Sequence, residues 1–350
     1  MGEFSDGYFS DGASLRSRLR KLVGPASSEV EEAVDALERS HERLESRLVD
    51  LAVGEGMPAG FNPESHLAPG LPRIRPMLVT LASRAAGDNG ADLMDVVHAA
   101  ELLHLAVAVH DTALGRQGGR RRRVARKLLG GAAHWLGGNH LTLRALEVAR
   151  SAPHPEVFSE LMLTLRELAE GHALAEDLRH RDATEADYRE YAEGHSGALF
   201  SFCTRAGGQL AGAERPVVGA LGRYGLHLGV AWHGIEDQWL LALSPEEVSR
   251  NLAQRAAAGR PTLPIIRALN RDPDVDRALD DVLSGEHPEA AEELLERVRA
   301  TGGDLAVRRL VATEAMAAKR ALSSVPDGPY RDIMHRIAGG LTQPQNLFAA

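Results

Sequence analysis

Two segments about 125 residues apart hold the side chains best suited to chemistry. The first runs Val107-Ala-Val-His110-Asp111-Thr112-Ala-Leu-Gly115, and the second runs Ala231-Trp232-His233-Gly-Ile-Glu236-Asp237-Gln-Trp239-Leu240. His104 and Asp111 are seven residues apart. On a helix they lie on one face, two turns from each other. Taken alone, a histidine on an apolar helix packs into the core and an aspartate at a helix end is solvated. A functional reading therefore depends on the residues around them.

The elements that must position these residues read as helices. Val96, Ala99, Leu103, Ala106 and Val107 keep helical spacing, so the segment leading to Asp111 is an amphipathic or buried helix. A helix is expected over 28–53, with Ser28 as N-cap and Glu31 three residues on. Residues 54–70 are rich in Gly and Pro and read as a loop. From Pro76 onward helical periodicity recurs without a convincing strand series. Breaks fall near 87–91, 115–119, 151–155, 213–216, 244–247, 259–264, 271–274, 284–288, 301–303 and 325–329. About ten to thirteen helices in one all-α domain over 28–350 are expected, preceded by a flexible tail at 1–27. In that tail Phe-Ser-Asp-Gly occurs twice, at 4–7 and 9–12. It reads as a disordered end or as a short docking motif presenting Phe4, Tyr8 and Phe9.

Composition supports helix and narrows the function. Aromatic residues make up only 4% of the chain, so the core must be mostly Leu, Ala and Val. A net charge of −9 argues against nucleic acid as a partner. The run Arg120-Arg121-Arg122-Arg123 is the one dense basic cluster. A single cysteine, Cys203, excludes an internal disulfide framework. No apolar run reaches the length of a membrane span, so no integral membrane segment is expected. Met1-Gly-Glu-Phe-Ser-Asp-Gly carries no basic-then-apolar signal pattern, and a cytoplasmic location is expected.

A series of short motifs then adds weight. Gly70-Leu-Pro72-Arg73-Ile-Arg75-Pro76 resembles Gly-Gly-Lys-Arg-x-Arg-Pro of the trans-polyprenyl diphosphate synthase family. Glu101-Leu-Leu-His104 resembles its Glu-Leu-Ile-His, and Arg120-Arg121 falls at its Arg-Arg. Leu136-Gly-Gly-Asn139, Gly171-His172 and His195-Ser-Gly-Ala-Leu-Phe200 resemble Leu-Ala-Gly-Asp, Gly-Gln and Lys-Thr-Gly-Ala-Leu-Phe. Tyr224-Gly225, Leu228-Gly-Val-Ala-Trp232-His233 and Gly259-Arg260-Pro-Thr262-Leu-Pro264 continue the order. The resemblance spans roughly residues 66–270. It implies an all-α, isoprenoid synthase-type helical bundle around a central cavity.

The same resemblance implies two diphosphate sites, and the sequence treats them differently. At the isopentenyl diphosphate site, the positions that hold diphosphate are Pro72, Arg75, His104 and Arg121, and only Pro72 departs from the family. Guanidinium forks suit bidentate diphosphate binding. At the allylic site Arg120 is kept, and two family lysines become His195 and Arg260. His195 is expected to titrate near neutral pH.

Both Asp-Asp-x-x-Asp motifs are degenerate. Asp111, Glu236 and Asp237 remain as metal ligands, while Thr112, Gly115 and Leu240 replace carboxylates. A further aspartate of the family falls near Arg255. The family's magnesium, which favours octahedral oxygen ligands, is thus expected to be weakly held, and no catalytic residue is assigned.

Trp135, Trp232 and Trp239 read as packing anchors, with a cation–π role for Trp239 as the alternative. Val107 and Ala106, just before Asp111, are small and imply a deep product tunnel. Two functions stay open. One is an isoprenyl diphosphate-binding, non-catalytic or regulatory partner of an active synthase, as a homodimer or heteromer. The other is an active divergent prenyltransferase or terpene synthase acting on an allylic diphosphate.

Overall fold

Among the described residues of the computed structural model, every long segment with helical periodicity is a helix. The described residues are 23–24, 26–63, 74–88, 92–115, 130–152, 154–177, 183–257, 260–284 and 289–343. The two Phe-Ser-Asp-Gly copies, Pro72, Arg120 and Arg121 lie outside them. The described residues form fourteen α-helices and no strand, one helix beyond the expected range.

The first helix, α1, spans Ser28–Val53, the expected limits, but its N-cap is Ser27, whose side chain makes no cap hydrogen bond. Next come α2 (Ile74–Ala85), α3 (Met94–Gly115), α4 (Gly130–Arg150) and α5 (Pro155–Asp177). A short α6 (Glu185–Ala192) runs through a π turn, Glu193–Gly197, into α7 (Ala198–Leu210). The long α8 spans Arg215–Leu240. The remainder is α9 (Pro245–Ala257), α10 (Leu263–Leu269), α11 (Asp274–Ser284), α12 (Ala290–Ala300), α13 (Gly303–Ala321) and α14 (Pro329–Gly340).

Helix α3 is apolar almost all round, and a helix of that kind must be enclosed by others. Val96, Ala99, Leu102, Leu103, Ala106 and Val109 are all buried. It packs chiefly on α4, while α8 packs on α7 and α13, and α2 on α7.

Small residues let α7 and α8 approach to backbone contact. A Cβ on Gly225 would meet the Phe200 carbonyl oxygen at 2.4 Å, and one on Gly229 the Ser196 carbonyl oxygen at 2.5 Å. Only glycine fits at such distances. Thr204 locks the same seam by donating its hydroxyl to the Leu221 carbonyl at 2.8 Å. Helix α14 is tied to α8 by the Tyr224 hydroxyl, which donates to the Met334 carbonyl at 2.9 Å.

A second apolar cluster gathers Leu240 and Leu241 with Val248 and Leu252 of α9, Ile265 of α10 and residues of α11 and α12. This cluster anchors the C-terminal end of α8 and the segment that follows it, which carries Arg255 and Arg260. No helix of the described residues is long and apolar enough to cross a membrane.

Candidate functional site

The last turn of α3 delivers Asp111 to a point where α5, the π turn and the segment before α10 converge. His172 of α5 places its Nε2 3.3 Å from Asp111 Oδ1. His195 of the π turn places its Nε2 3.5 Å from Asp111 Oδ2. Arg260 forms an ion pair with the same carboxylate oxygen. Its guanidinium also donates to His195 Nε2 at 3.1 Å.

A π turn inserts one extra residue into a helical turn and recurs at functional sites. Here it carries both His195 and Ser196 inward. The capping box at the start of α6, Thr184 with Asp187, fixes where this run begins.

A relay of hydrogen bonds orients the rings. Arg260 donates to His195 Nε2, so the proton of the neutral ring sits on Nδ1, which faces Ser196 Oγ at 3.3 Å. Ser196 Oγ lies 2.9 Å from His233 Nδ1 and donates to it. His172 donates from Nδ1 to the Leu168 carbonyl at 2.7 Å. Tyr191 and Tyr188 close the group, with Tyr191 ring centroids 5.4 Å from His195 and 5.3 Å from His233.

Burial dominates the protonation of these groups. It pushes His195 down to about 3, with His172 and Arg75 acting in the same direction and Glu236 against it. The expected titration of His195 near neutral pH is therefore not met: burial beside cations outweighs the nearby carboxylate. His233 is likewise held well below its ordinary value by burial. Burial lowers Arg260 to about 10, which still leaves it charged at neutral pH.

The second carboxylate group lies on α8. Asp237 is 0% exposed. Its Oδ1 accepts from Arg255 of α9 at 2.5 Å, and its Oδ2 accepts from the Leu263 backbone N–H at 2.9 Å. Burial raises the Asp237 carboxyl, and Arg255 only partly offsets that. Burial would lower Arg255, but Asp237 and Glu236 outweigh it and raise its pKa. Glu236 accepts from Trp232 Nε1 at 3.0 Å.

Arg75 of α2 is buried, with its guanidinium 5.1 Å from the centre of the Phe200 ring. Burial lowers its pKa, against the fields of Glu236 and Glu101. His104 is half-buried on α3, two turns before Asp111.

Of the residues singled out from sequence, the fold thus joins Asp111, His195 and Arg260 directly. It sets Glu236 and Asp237 nearby on α8. His172, Ser196, His233, Tyr188, Tyr191 and the Arg255 pairing were not assigned roles from sequence. The available signals were the motif matches that include His172, Ser196 and His233, and the resemblance that sets a family aspartate near Arg255. Trp135 departs from its expected packing role. It is 41% exposed, with its ring 5.0 Å from that of His110.

These features match known proteins. The polyprenyl synthetase family model matches residues 63–300, and the chain belongs to that family. It is 28% identical to octaprenyl diphosphate synthase of Escherichia coli (strain K12) over 270 residues, which is 76% of this chain and 84% of that protein. A short chain isoprenyl diphosphate synthase of Methanothermobacter thermautotrophicus is 29% identical over 310 residues, covering 83% of this chain and 94% of the relative. Among solved structures, polyprenyl synthase from Caulobacter crescentus CB15, complexed with calcium and isoprenyl diphosphate, superposes with a TM-score of 0.75 at 25% identity. That match covers 91% of this chain and 99% of the other. The fold is the isoprenoid synthase fold.

Proposed function

We propose that this chain binds isoprenyl diphosphate without catalysing its condensation, and acts as a partner of an active prenyl diphosphate synthase in isoprenoid biosynthesis. One observation carries the reading: Asp111 and Asp237, from the two degenerate motifs, are each neutralised by an arginine, Arg260 and Arg255. Such pairing leaves the residues present a poor fit to a magnesium cluster. Both Asp237 oxygens are already engaged, by Arg255 and the Leu263 N–H, and are shut off from solvent. Asp111 is shared among His172, His195 and Arg260. Magnesium needs near-octahedral oxygen coordination, which these groups do not supply.

The binding half of the reading rests on cations. Arg75, His104, Arg120, Arg121, His195 and Arg260 are the proposed diphosphate-binding positions. Guanidinium groups carry fixed charge and paired donors that match phosphate oxygens. Ionising an allylic carbon–oxygen bond demands more, because charge growing on the leaving group needs preorganised stabilisation.

The test is to incubate the pure protein with geranyl or farnesyl diphosphate, with and without isopentenyl diphosphate and Mg2+, and to follow release of inorganic diphosphate. No release above the protein-free rate is expected. Release that requires Mg2+ and vanishes in Asp111→Ala would instead mean an active, divergent enzyme.

Pairing with a like subunit has its own support. Leu136 and Leu143 of α4 are seven residues apart, on one face, and are 54% and 59% exposed. Met162 and Leu163 of α5 are also exposed. Large exposed apolar side chains that cluster mark interaction surfaces. We expect a dimer by sedimentation equilibrium at micromolar concentration, and a shift toward monomer in Leu143→Arg. A monomeric wild-type chain that also fails to join a family synthase would count against it.

A further inference from the structure

Two imidazoles and a carboxylate meet at Asp111, and one of the imidazoles, His195, is also a proposed diphosphate-binding position. We propose that Asp111, His172 and His195 form a binding site for one divalent cation of the zinc, cobalt and nickel class. Their candidate ligand atoms all lie within 4.8 Å of one another. The His172 and His195 Nε2 atoms are 3.3 and 3.5 Å from the Asp111 oxygens. Ligands placed tetrahedrally about zinc at about 2.0–2.1 Å are separated by about 3.3 Å. The two carboxylate–imidazole spacings match that separation, and the ligand atoms of the two imidazoles lie within 4.8 Å of each other.

The outer contacts point the same way. His172 donates its Nδ1 proton to the Leu168 carbonyl at 2.7 Å. His195 directs Nδ1 to Ser196, which is in turn bonded to His233. At His195 this leaves the Nε2 lone pair, which accepts from Arg260, on the side of the carboxylate. A second hydrogen bond of this kind is what fixes ring orientation and tautomer in histidine metal ligands. A lone pair directed at a carboxylate oxygen repels it unless a cation lies between them.

Arg260 supplies that cation in part, since it contacts Asp111 Oδ2 and His195 Nε2 together. It does so from an irregular segment, with a side chain 18% exposed. A metal at this ligand set must displace Arg260, which makes the arginine its competitor. The donor set also chooses the ion. Imidazole suits zinc, nickel and cobalt, whereas magnesium prefers oxygen ligands throughout. Replacement of a family lysine by His195 thus changes the kind of cation the site can take, rather than only removing one.

The site shares His195 and Arg260 with the proposed diphosphate-binding positions, so its test omits diphosphate and reads the metal alone. The full chain, without an affinity tag, is stripped with EDTA, dialysed free of chelator and titrated with Co2+ while visible absorption is followed. One Co2+ per chain is expected, with the intense visible bands of a four- or five-coordinate ion, displaced by Zn2+ and not by Mg2+. His172→Ala should weaken Co2+ binding by at least about tenfold, since loss of even an outer-contact residue typically costs about 10- to 100-fold. His172 is partly exposed, so the variant is expected to fold, which circular dichroism checks.

Arg260→Met should strengthen Co2+ binding by at least about tenfold, because it removes a competing charge-assisted contact worth about 1.5–3 kcal/mol. A loss of stability alone would not produce that gain. Fifteen histidines give the chain other chances to hold cobalt. Binding unchanged in His172→Ala therefore overturns the assignment, as does the absence of binding in both the wild type and Arg260→Met.

Discussion

Arg255→Ala is expected to destabilise the folded chain by about 3–5 kcal/mol, the usual result of removing one partner from a buried ion pair. Asp237 has no access to water, and Arg255 is the only cation bonded to it among the described residues. Without Arg255 the carboxylate still accepts from the Leu263 N–H but has lost its cation. It must then either stay charged in an apolar setting or take up a proton.

The double variant Arg255→Met with Asp237→Asn should recover most of the loss. It leaves no buried charge, and the Asn oxygen still accepts from Leu263. The pH dependence has a defined sign. A carboxyl whose pKa is raised by folding gives its full stability below its unfolded value of about 3.9 and loses it as pH rises through the folded value. Burial already raises Asp237, and losing Arg255 raises it further. The deficit of Arg255→Ala should therefore be larger at pH 8 than at pH 5. Urea unfolding at the two pH values measures both effects. A change below about 1 kcal/mol at pH 8 would mean that the pair is not a buried charge pair in solution.

Helix limits were legible wherever Gly, Pro and polar residues interrupt an apolar repeat. Thus α8 begins at Arg215, and the breaks near 271–274 and 301–303 separate α10 from α11 and α12 from α13. The separation of α5 from α6 and the π turn at Glu193–Gly197 carried no such mark, and neither was expected. A π turn keeps the helical pattern on both sides and shifts it by one residue.

The site divides along the same line. Asp111, His195 and Arg260 were singled out because each falls within a stretch that resembles a family motif, and the fold brings the three together. His172, 61 residues from Asp111, was read only as a motif match, since its partnership with Asp111 exists only after α5 folds against α3. The protonation of His195 was misjudged for a related reason. Residue type sets the reference pKa, but burial against α5 and α8 sets the shift. Leu240 was read from the resemblance as standing in place of a carboxylate, while its place in the second apolar cluster was not legible.

Inorganic pyrophosphate and isopentenyl diphosphate are expected to bind in EDTA, and Mg2+ should change their affinity by less than about threefold, under 1 kcal/mol. The carboxylates that would recruit the ion are occupied by arginines, so metal adds little to binding. Arg121→Ala should weaken binding by about ten- to a hundredfold, the worth of one charge-assisted contact of about 1.5–3 kcal/mol.

Restoring acidic residues at three positions, by Thr112→Asp, Gly115→Asp and Leu240→Asp, is expected to leave binding largely independent of Mg2+. Asp111 and Asp237 would still be held by Arg260 and Arg255. Leu240 is 1% exposed and packs in the cluster with Val248 and Leu252, so a carboxylate there also carries a burial cost. Metal dependence should emerge only when Arg255→Asp is added, which frees Asp237 and returns a carboxylate where the resemblance implies one. Calorimetry with and without Mg2+ reads all of these. Binding that is absent in EDTA, appears with Mg2+ and is lost in Asp111→Ala would mean that the ion, and not the arginines, holds the diphosphate, and the non-catalytic reading would fall with it.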